Sequence, residues 1–397
     1  MENKDTPIGR IPKDWDFKPL NEIVKVHDSK RIPLSETERG SRKGNYPYCG
    51  ANGVIDYIDD YIFDGVYVLL AEDGGDYKSF GKSAYLMTGK FWVNNHAHII
   101  SAIKNISTNL FTMYSLNFIN LERYIVGSTR KKLNQETMRK IKIPLPTLNE
   151  QQKIAEILST TDHAIQKSDE IIAKTRGLKR GTMQKLLNEG IGHEEFKDTP
   201  IGKIPVEWNL GKLGDTSIVK LVMGQSPPSS TYNKEGEGLP FLQGKAEFGE
   251  IYPKPILHCS EPMKIAEKND LLLSIRAPVG DVNLATNKYC IGRGLAAIRA
   301  KNEKLDHIFL FNYIRMSSAR FEMLSTGSTF KAIRKGEIEK FIIPLPGINE
   351  QKKIAQILTS IDDKYRLEIK RKEKLQNIKK GLMNDLLTGH KRVHVNN

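Results

Sequence analysis

IPLPTLNEQQKIAEIL, residues 143–158, and IPLPGINEQKKIAQIL, residues 343–358, agree at twelve of sixteen positions across an offset of 200. Working outward, Gly127-Ser128-Thr129 matches Gly327-Ser328-Thr329 upstream, and Lys179-Arg180-Gly181 matches Lys379-Lys380-Gly381 downstream. Further upstream, KDTPIGRIP (4–12) and KDTPIGKIP (197–205) agree at eight of nine positions, and Trp15 and Trp208 follow in the same register. The chain of 397 residues is therefore a tandem duplication with a unit of about 200 residues. A unit of that length is a domain with a tail, not a solenoid repeat. Between the matching tracts, residues 24–120 and 217–320 share little text. A repeated frame with divergent inserts suits a scaffold that holds two readers of different things.

The decisive stretch also predicts local structure. Pro144 and Pro146 forbid a helix there and favour an extended lead-in. Asn149 is then expected to cap a helix, with Glu150 near the positive end of its dipole. Beyond it Ile154, Leu158, Thr161, Ile165, Ser168, Ile172 and Thr175 recur at three- and four-residue steps, close to a heptad seam. Gly190 is the expected stop. In the second copy Asn349 is the expected cap, Ile354, Leu358, Ile361, Tyr365, Ile369, Leu375, Ile378, Leu382 and Leu386 form the stripe, and Gly389 is the stop. Helices of about 40 residues would be about 60 Å long and cannot bury such stripes alone. A domain-helix-domain-helix order lets the two lie antiparallel. Packing of each helix on its own domain is the plainer alternative. Residues 348–392 carry 12 Lys/Arg against 6 Asp/Glu, residues 148–190 only 7 against 6.

The inserts read as mixed α/β. Strands are expected at 66–72, 83–87, 96–103, 270–275 and 294–300, and helices at 108–124 and 305–324. A net charge of +14 favours a polyanionic partner. After each Gly-Ser-Thr comes a basic polar tract, Arg130-Lys131-Lys132-Leu133-Asn134-Gln135 and Phe330-Lys331-Ala332-Ile333-Arg334-Lys335. Hydroxyls, amides and cations there suit phosphate, while a basic surface loop is the competing reading.

Other patterns carry less. Cys49, Cys259 and Cys290 are scattered without metal-ligand spacing. The N-terminus has no apolar stretch of a signal peptide, and no apolar run reaches membrane-spanning length. Gly292-Arg293-Gly294-Leu295-Ala296-Ala297 fits the loose dinucleotide pattern but lacks strand-turn-helix context, and Gly81-Lys82-Ser83 lacks the earlier glycine of a phosphate loop. His96 and His98 alternate on an expected strand and so lie on one face, where they could bind metal; with no carboxylate or third histidine nearby in sequence, they read instead as a hydrogen-bonded structural pair. The single Pro-Pro, Pro227-Pro228, is not the Asn/Asp-Pro-Pro-aromatic motif of an amino methyltransferase, and no Pro-Asp of a nuclease occurs. No nucleophile-base constellation emerges either.

Taken together, these residues resemble the specificity subunits of type I restriction-modification systems over essentially the whole chain. The marks are the paired IPLP…NEQ…KIA…IL tracts, the paired IGRIPKDW and IGKIPVEW, and two insert types. GQSPPSSTYN (224–233) with LLLSIRAPVGDVN…CIGRGLAAIRA (271–300) looks like one kind of target recognition domain, and YPYCGANGVIDYIDDYIFDG (46–65) with KFWVNNHAHII (90–100) like another. The resemblance implies an α+β fold with two globular target recognition domains separated by two long antiparallel coiled-coil helices, in pseudo-two-fold duplication. The expected boundaries are a first recognition domain at 1–147, a spacer helix at 148–190, a second domain at 191–347, a spacer helix at 348–390 and a basic tail at 391–397.

The resemblance also implies a non-catalytic, cytoplasmic, prokaryotic subunit that reads a bipartite asymmetric site in double-stranded DNA. It would dock two methylation subunits and the restriction subunits, with no membrane association. S-adenosylmethionine, ATP and Mg would belong to those partners, and this chain would hold no cofactor or metal. A helical scaffold or nucleic-acid adaptor, and a fused DNA-modifying enzyme, are the alternatives. The residues expected at DNA are Ser128, Thr129, Arg130, Lys131, Thr329, Lys331 and Arg334, with Asn94, Asn95, Arg276 and Arg293 added from the inserts. Strand anchoring is the competing role for Arg276 and Arg293.

Overall fold

A computed structural model describes residues 2–127, 131–301, 303–325 and 332–394. The chain divides into two compact units, Met1–Glu170 with Ile369–Asn397, and Ile171–Glu368. Each unit contains one globular insert, the beginning of the long helix that follows it, and the end of the other repeat's long helix.

The first unit is built on a six-stranded sheet. Its spatial order is Val24–Val26, Ala97–Ala102, Phe63–Ala71, Ala84–Val93, Lys43–Gly50, Gly53–Ile58. All neighbours are antiparallel except Lys43–Gly50 and Ala84–Val93, which run parallel through Tyr48↔Trp92 and Cys49↔Val93. Strand Asp16–Pro19 pairs with Lys142–Leu145, so the extended IPLP lead-in closes the domain against its own beginning. One core gathers Trp15, Leu20, Ile100, Phe111, Ile143, Ile154 and Leu158, and Met383, Leu386 and Leu387 complete it. The predicted helix 108–124 is shorter, Asn109–Phe118, followed by a single 3-10 turn at Glu122–Tyr124. Tertiary bonding ends it: Ile119 is extended and the Leu121 amide donates to the Tyr77 carbonyl.

The second unit uses the same scheme with a break. The order Val219–Met223, Leu295–Ala300, Leu271–Ser274, Val282–Leu284 repeats the first four positions. Where the first unit has one ten-residue strand, Ala84–Val93, the second has Val282–Leu284 and Tyr289–Ile291. Tyr289–Ile291 enters a separate five-stranded sheet and runs parallel to Leu239–Leu242 through Phe241↔Cys290, the counterpart of the parallel pair above. The predicted helix 305–324 is two helices, His307–Met316 and Ser318–Leu324, broken at Ser317. Leu187 joins this core with Trp208, Phe309, Ile354 and Leu358.

The long helices run Leu148–Glu189 and Ile348–Leu387. Asn149 and Asn349 lie inside them and are not their caps. Thr147 stands at the first start, its hydroxyl 3.4 Å from the Glu150 amide. Gly347 stands at the second, its carbonyl accepting from the Glu350 and Gln351 amides. Gly190, at φ +71°, follows the first helix directly, in a conformation that a side chain disfavours. The repeated NEQ has a structural reason. Gln151 and Gln351 are fully buried, and each bonds three backbone groups: Gln151 the Thr108 amide and the Ile106 and Pro146 carbonyls, Gln351 the Asp306 amide and the Lys304 and Pro346 carbonyls.

Within each unit the two helical segments are antiparallel. In the first, Asp162 pairs with Lys379 at 2.6 Å and Asp169 with Lys372 at 2.5 Å, one heptad on in opposite directions. In the second, Arg176 donates to the Tyr365 hydroxyl at 2.8 Å and Lys179 pairs with Asp362. Ser168 and Thr175 of the predicted stripe are buried, while Thr161, Ile165 and Ile172 are half-buried. Among the described residues, no helix is long and apolar enough to cross a membrane.

Candidate nucleic-acid interface

Each unit brings three sequence-distant segments together, one of them the segment that follows its Gly-Ser-Thr tract in sequence, and does so by the same backbone ladder. In the first unit the Leu133 amide donates to the Glu72 carbonyl at 2.8 Å, and the Glu72 amide to the His96 carbonyl at 2.8 Å. In the second the Ile333 amide donates to the Ile275 carbonyl at 3.0 Å, and the Ile275 amide to the Gly294 carbonyl at 2.9 Å. The bridges Asp73↔Lys132 and Arg276↔Ala332 complete the correspondence. Glu72 thus matches Ile275, Asp73 matches Arg276, Asn95 matches Arg293, and His96 matches Gly294. Short helices, Gln135–Arg139 and Lys335–Glu339, follow each tract at the same place.

The side chains on these ladders differ. In the first unit the ladder is lined by ion pairs. Arg31 meets Glu72 at 2.8 Å, Lys132 meets Glu72 at 3.3 Å and Asp73 at 3.5 Å, and His96 Nδ1 lies 2.9 Å from Asp73. Beneath them, buried Asp28 accepts from the Ile99 amide and from Gln135, and faces His98 Nδ1 at 2.6 Å. His98 Nε2 reaches the Leu133 carbonyl at 2.6 Å, so the histidine ties the sheet to the exit of the basic tract. Burial pushes the Asp28 carboxyl up, but the bonds and charge of His98, with those from Ile99 and Gln135, outweigh it and leave its pKa below the ordinary value.

Among the described residues the second unit has no such ion-pair line. The turn 292–294 is instead packed into its neighbours: a Cβ on Gly292 would stand 2.6 Å from Gln243 Oε1, and one on Gly294 2.5 Å from the Gln243 carbonyl. The Ser226 hydroxyl accepts the Arg293 amide at 3.1 Å and is 3.1 Å from the Gln243 side chain. This turn joins two strands, which removes the dinucleotide-loop context from the glycines.

The expected site residues fall into three groups. Ser128, Thr129, Arg130, Thr329 and Lys331 lie outside the described residues. Lys131, Arg334, Asn95, Arg276 and Arg293 are exposed beside the two ladders. Asn94 is buried, with its Oδ1 accepting the His96 amide at 2.8 Å, so it shapes the turn that carries Asn95. His96 and His98 do not share a strand face: the strand begins at Ala97, leaving His96 half-exposed in the turn and His98 in the core. The carboxylates that pair with them, Asp73 and Asp28, come from remote sequence and escaped the reading by spacing. So did Gln243 and Ser226. Among the described residues, no group of three or more His, Cys, Asp or Glu is arranged to hold a metal.

Comparison with known proteins agrees with the duplicated frame. Residues 12–174 and again 205–377 match the type I restriction modification DNA specificity domain. A relative from Methanocaldococcus jannaschii, named as the MjaX specificity subunit of a type I restriction enzyme, is 39% identical over 98% of this chain and 96% of its own. The crystal structure of a type I restriction-modification S subunit from M. genitalium superposes with a TM-score of 0.67 at 16% identity, covering 96% of this chain and 99% of that one. A chain from a structure titled for complex assembly and conformational transition of the type I R-M system gives 0.53 at 24% identity, covering 96% and 99%. With two family matches spanning most of its length, and a relative alike from end to end, this chain belongs to the type I restriction-modification DNA specificity family.

Proposed function

We propose that this chain is the specificity subunit of a type I restriction-modification complex and reads a bipartite, asymmetric sequence in double-stranded DNA, one half with each insert. The observation that carries this reading is the pair of matched ladders. One frame presents the same backbone twice, beside a basic tract each time, but lines it with different side chains. Two equal frames with unequal readers suit two unequal half-sites. The net charge of +14 supports a polyanionic partner.

The chain contributes recognition and no chemistry. Methylation and restriction subunits dock on it and bring S-adenosylmethionine, ATP and Mg, and the complex works in the cytoplasm of a prokaryote. The relative's name and the assembly title of the similar structure support that partnership.

Adenine methylation mapped across a genome tests the reading, with the methylation subunit expressed alone and together with this chain. A split motif appearing only with the chain is the expected result, and exchange of residues 13–147 alters one half alone. Identical methylation with and without the chain, despite a stable complex, removes the reading in favour of a scaffold.

A further inference from the structure

We infer that Asn95 and Arg293 are the matched base-reading side chains of the two units, and that Arg293 recognises a guanine in the half-site of the second. The inference rests on the DNA-reading function proposed above and assigns it to particular atoms. Both residues sit at the middle of a three-residue turn, 94–96 and 292–294, one strand away from the exit of the basic tract. Both side chains are exposed and, among the described residues, make no hydrogen bond or ion pair. Both turns are held from below, by Asn94 Oδ1 on the His96 amide in one and by Ser226 on the Arg293 amide in the other. An exposed side chain on a pinned backbone suits base-edge recognition, because the backbone presents its polar groups to the base from a fixed point.

The comparison between units separates base contact from phosphate contact. The phosphate backbone is chemically the same at both half-sites, so side chains that hold it have reason to be cationic in both copies. That holds for the basic tracts, Arg130-Lys131-Lys132 and Lys331 with Arg334-Lys335. It fails at the turn, where one copy has a neutral amide and the other a guanidinium on the same ladder position. Different base sequences demand such a difference. An arginine fork matches guanine O6 and N7, and an asparagine amide matches adenine N6 and N7. The Arg276 side chain, exposed just past the strand Leu271–Ser274 and likewise without a side-chain hydrogen bond or ion pair among the described residues, lies opposite Arg293 in register and adds charge to the same tip.

The test maps adenine methylation by the complete complex carrying the wild-type chain, Arg293→Ala, Arg293→Lys or Asn95→Ala. The wild-type motif contains a guanine in the half exchanged with residues 206–347. Arg293→Ala makes that position degenerate, with discrimination falling about 10- to 100-fold, while the other half and the spacer stay unchanged. Arg293→Lys keeps the charge but loses the fork, and gives the same degenerate position. Asn95→Ala relaxes one position of the opposite half. If methylation falls below detection, binding of the purified complexes to duplexes with each of the four bases at that position replaces it. Lost preference supports the assignment. An equal drop on all four, an unchanged motif in both Arg293 variants, or a half-site without guanine overturns it. Failure of the wild-type chain to direct any motif is a different result and removes the proposed function instead.

Discussion

The two recognition units share a backbone and differ in what stabilises it. In the first, the ladder beside the basic tract rests on charge: a buried Asp28–His98 pair below and an Arg31–Glu72–Lys132–Asp73–His96 line at the rim. In the second, the same ladder rests on close packing around Gly292 and Gly294 and on neutral bonds from Ser226 and Gln243. Position and support are therefore separable. Ladder hydrogen bonds set where a reader stands, and the inserts are free to change how it is held and what it presents.

The largest expected effect breaks the first unit alone. Asp28→Ala leaves buried His98 without its carboxylate partner and removes the weaker 3.7 Å contact to Arg31, and such a loss costs about 3–5 kcal/mol. Hydrogen exchange should show amides of 97–102 and 131–135 losing protection, while 271–275 and 295–300 keep theirs. Equal loss in both units would mean that the two supports are not independent. The same carboxyl gives a pH dependence. Its folded pKa lies below the unfolded value, so its stabilisation is full above the ordinary carboxylate range near about 4 and is lost as pH falls through the lower folded value. Acid titration of the wild type against Asp28→Asn measures it.

A second comparison concerns the helical clasps. Lys179–Asp362 in the second unit is nearly buried, with side chains 15% and 8% exposed, whereas Lys379–Asp162 in the first is 22% and 38% exposed. Lys179→Ala should destabilise by about 3 kcal/mol and Lys379→Ala by about 1 kcal/mol or less, read from urea unfolding. Equal effects would show that water reaches both pairs alike.

A smaller difference separates the two tryptophans. The Trp208 indole donates to Glu350 at 3.0 Å, while the Trp15 indole nitrogen is buried without a partner among the described residues, and Glu150 is taken by Arg392 at 2.7 Å. Trp→Phe at 208 should therefore cost about 1–2 kcal/mol more than at 15, the shared loss of ring volume cancelling. At the low end, Arg130→Ala with Lys131→Ala should weaken DNA binding and lower the salt slope by about two. An unchanged slope would take that tract away from phosphate.

The frame was legible because it is written twice. IPLP…NEQ predicted the helix starts within two residues, yet placed the caps at Asn149 and Asn349. The error came from propensity: asparagine is a favoured cap, but the buried glutamines two residues on need the helix to begin earlier, so that each reaches the carbonyl of Pro146 or Pro346. The predicted helix 108–124 overran for a similar reason, since Tyr77 captures the Leu121 amide from outside the segment. At the tips, the basic tracts were visible as charge. The pairing of His98 with Asp28, and of Ser226 with Arg293, spans 70 and 67 residues and leaves no periodic trace.

Sequence alone determined the duplication, the two long helices, the family and the segments where cations gather, because repetition, apolar period and charge are properties of residue order. Tertiary structure decided which distant residues meet: that each unit's core is completed by the end of the other repeat's helix, that Asn95 stands where Arg293 stands, and that Asn94 holds the His96 amide and His98 the Leu133 carbonyl. Those choices are made by strand pairing and burial between segments far apart in the chain, and such pairings carry no local signature until the backbone brings them into register.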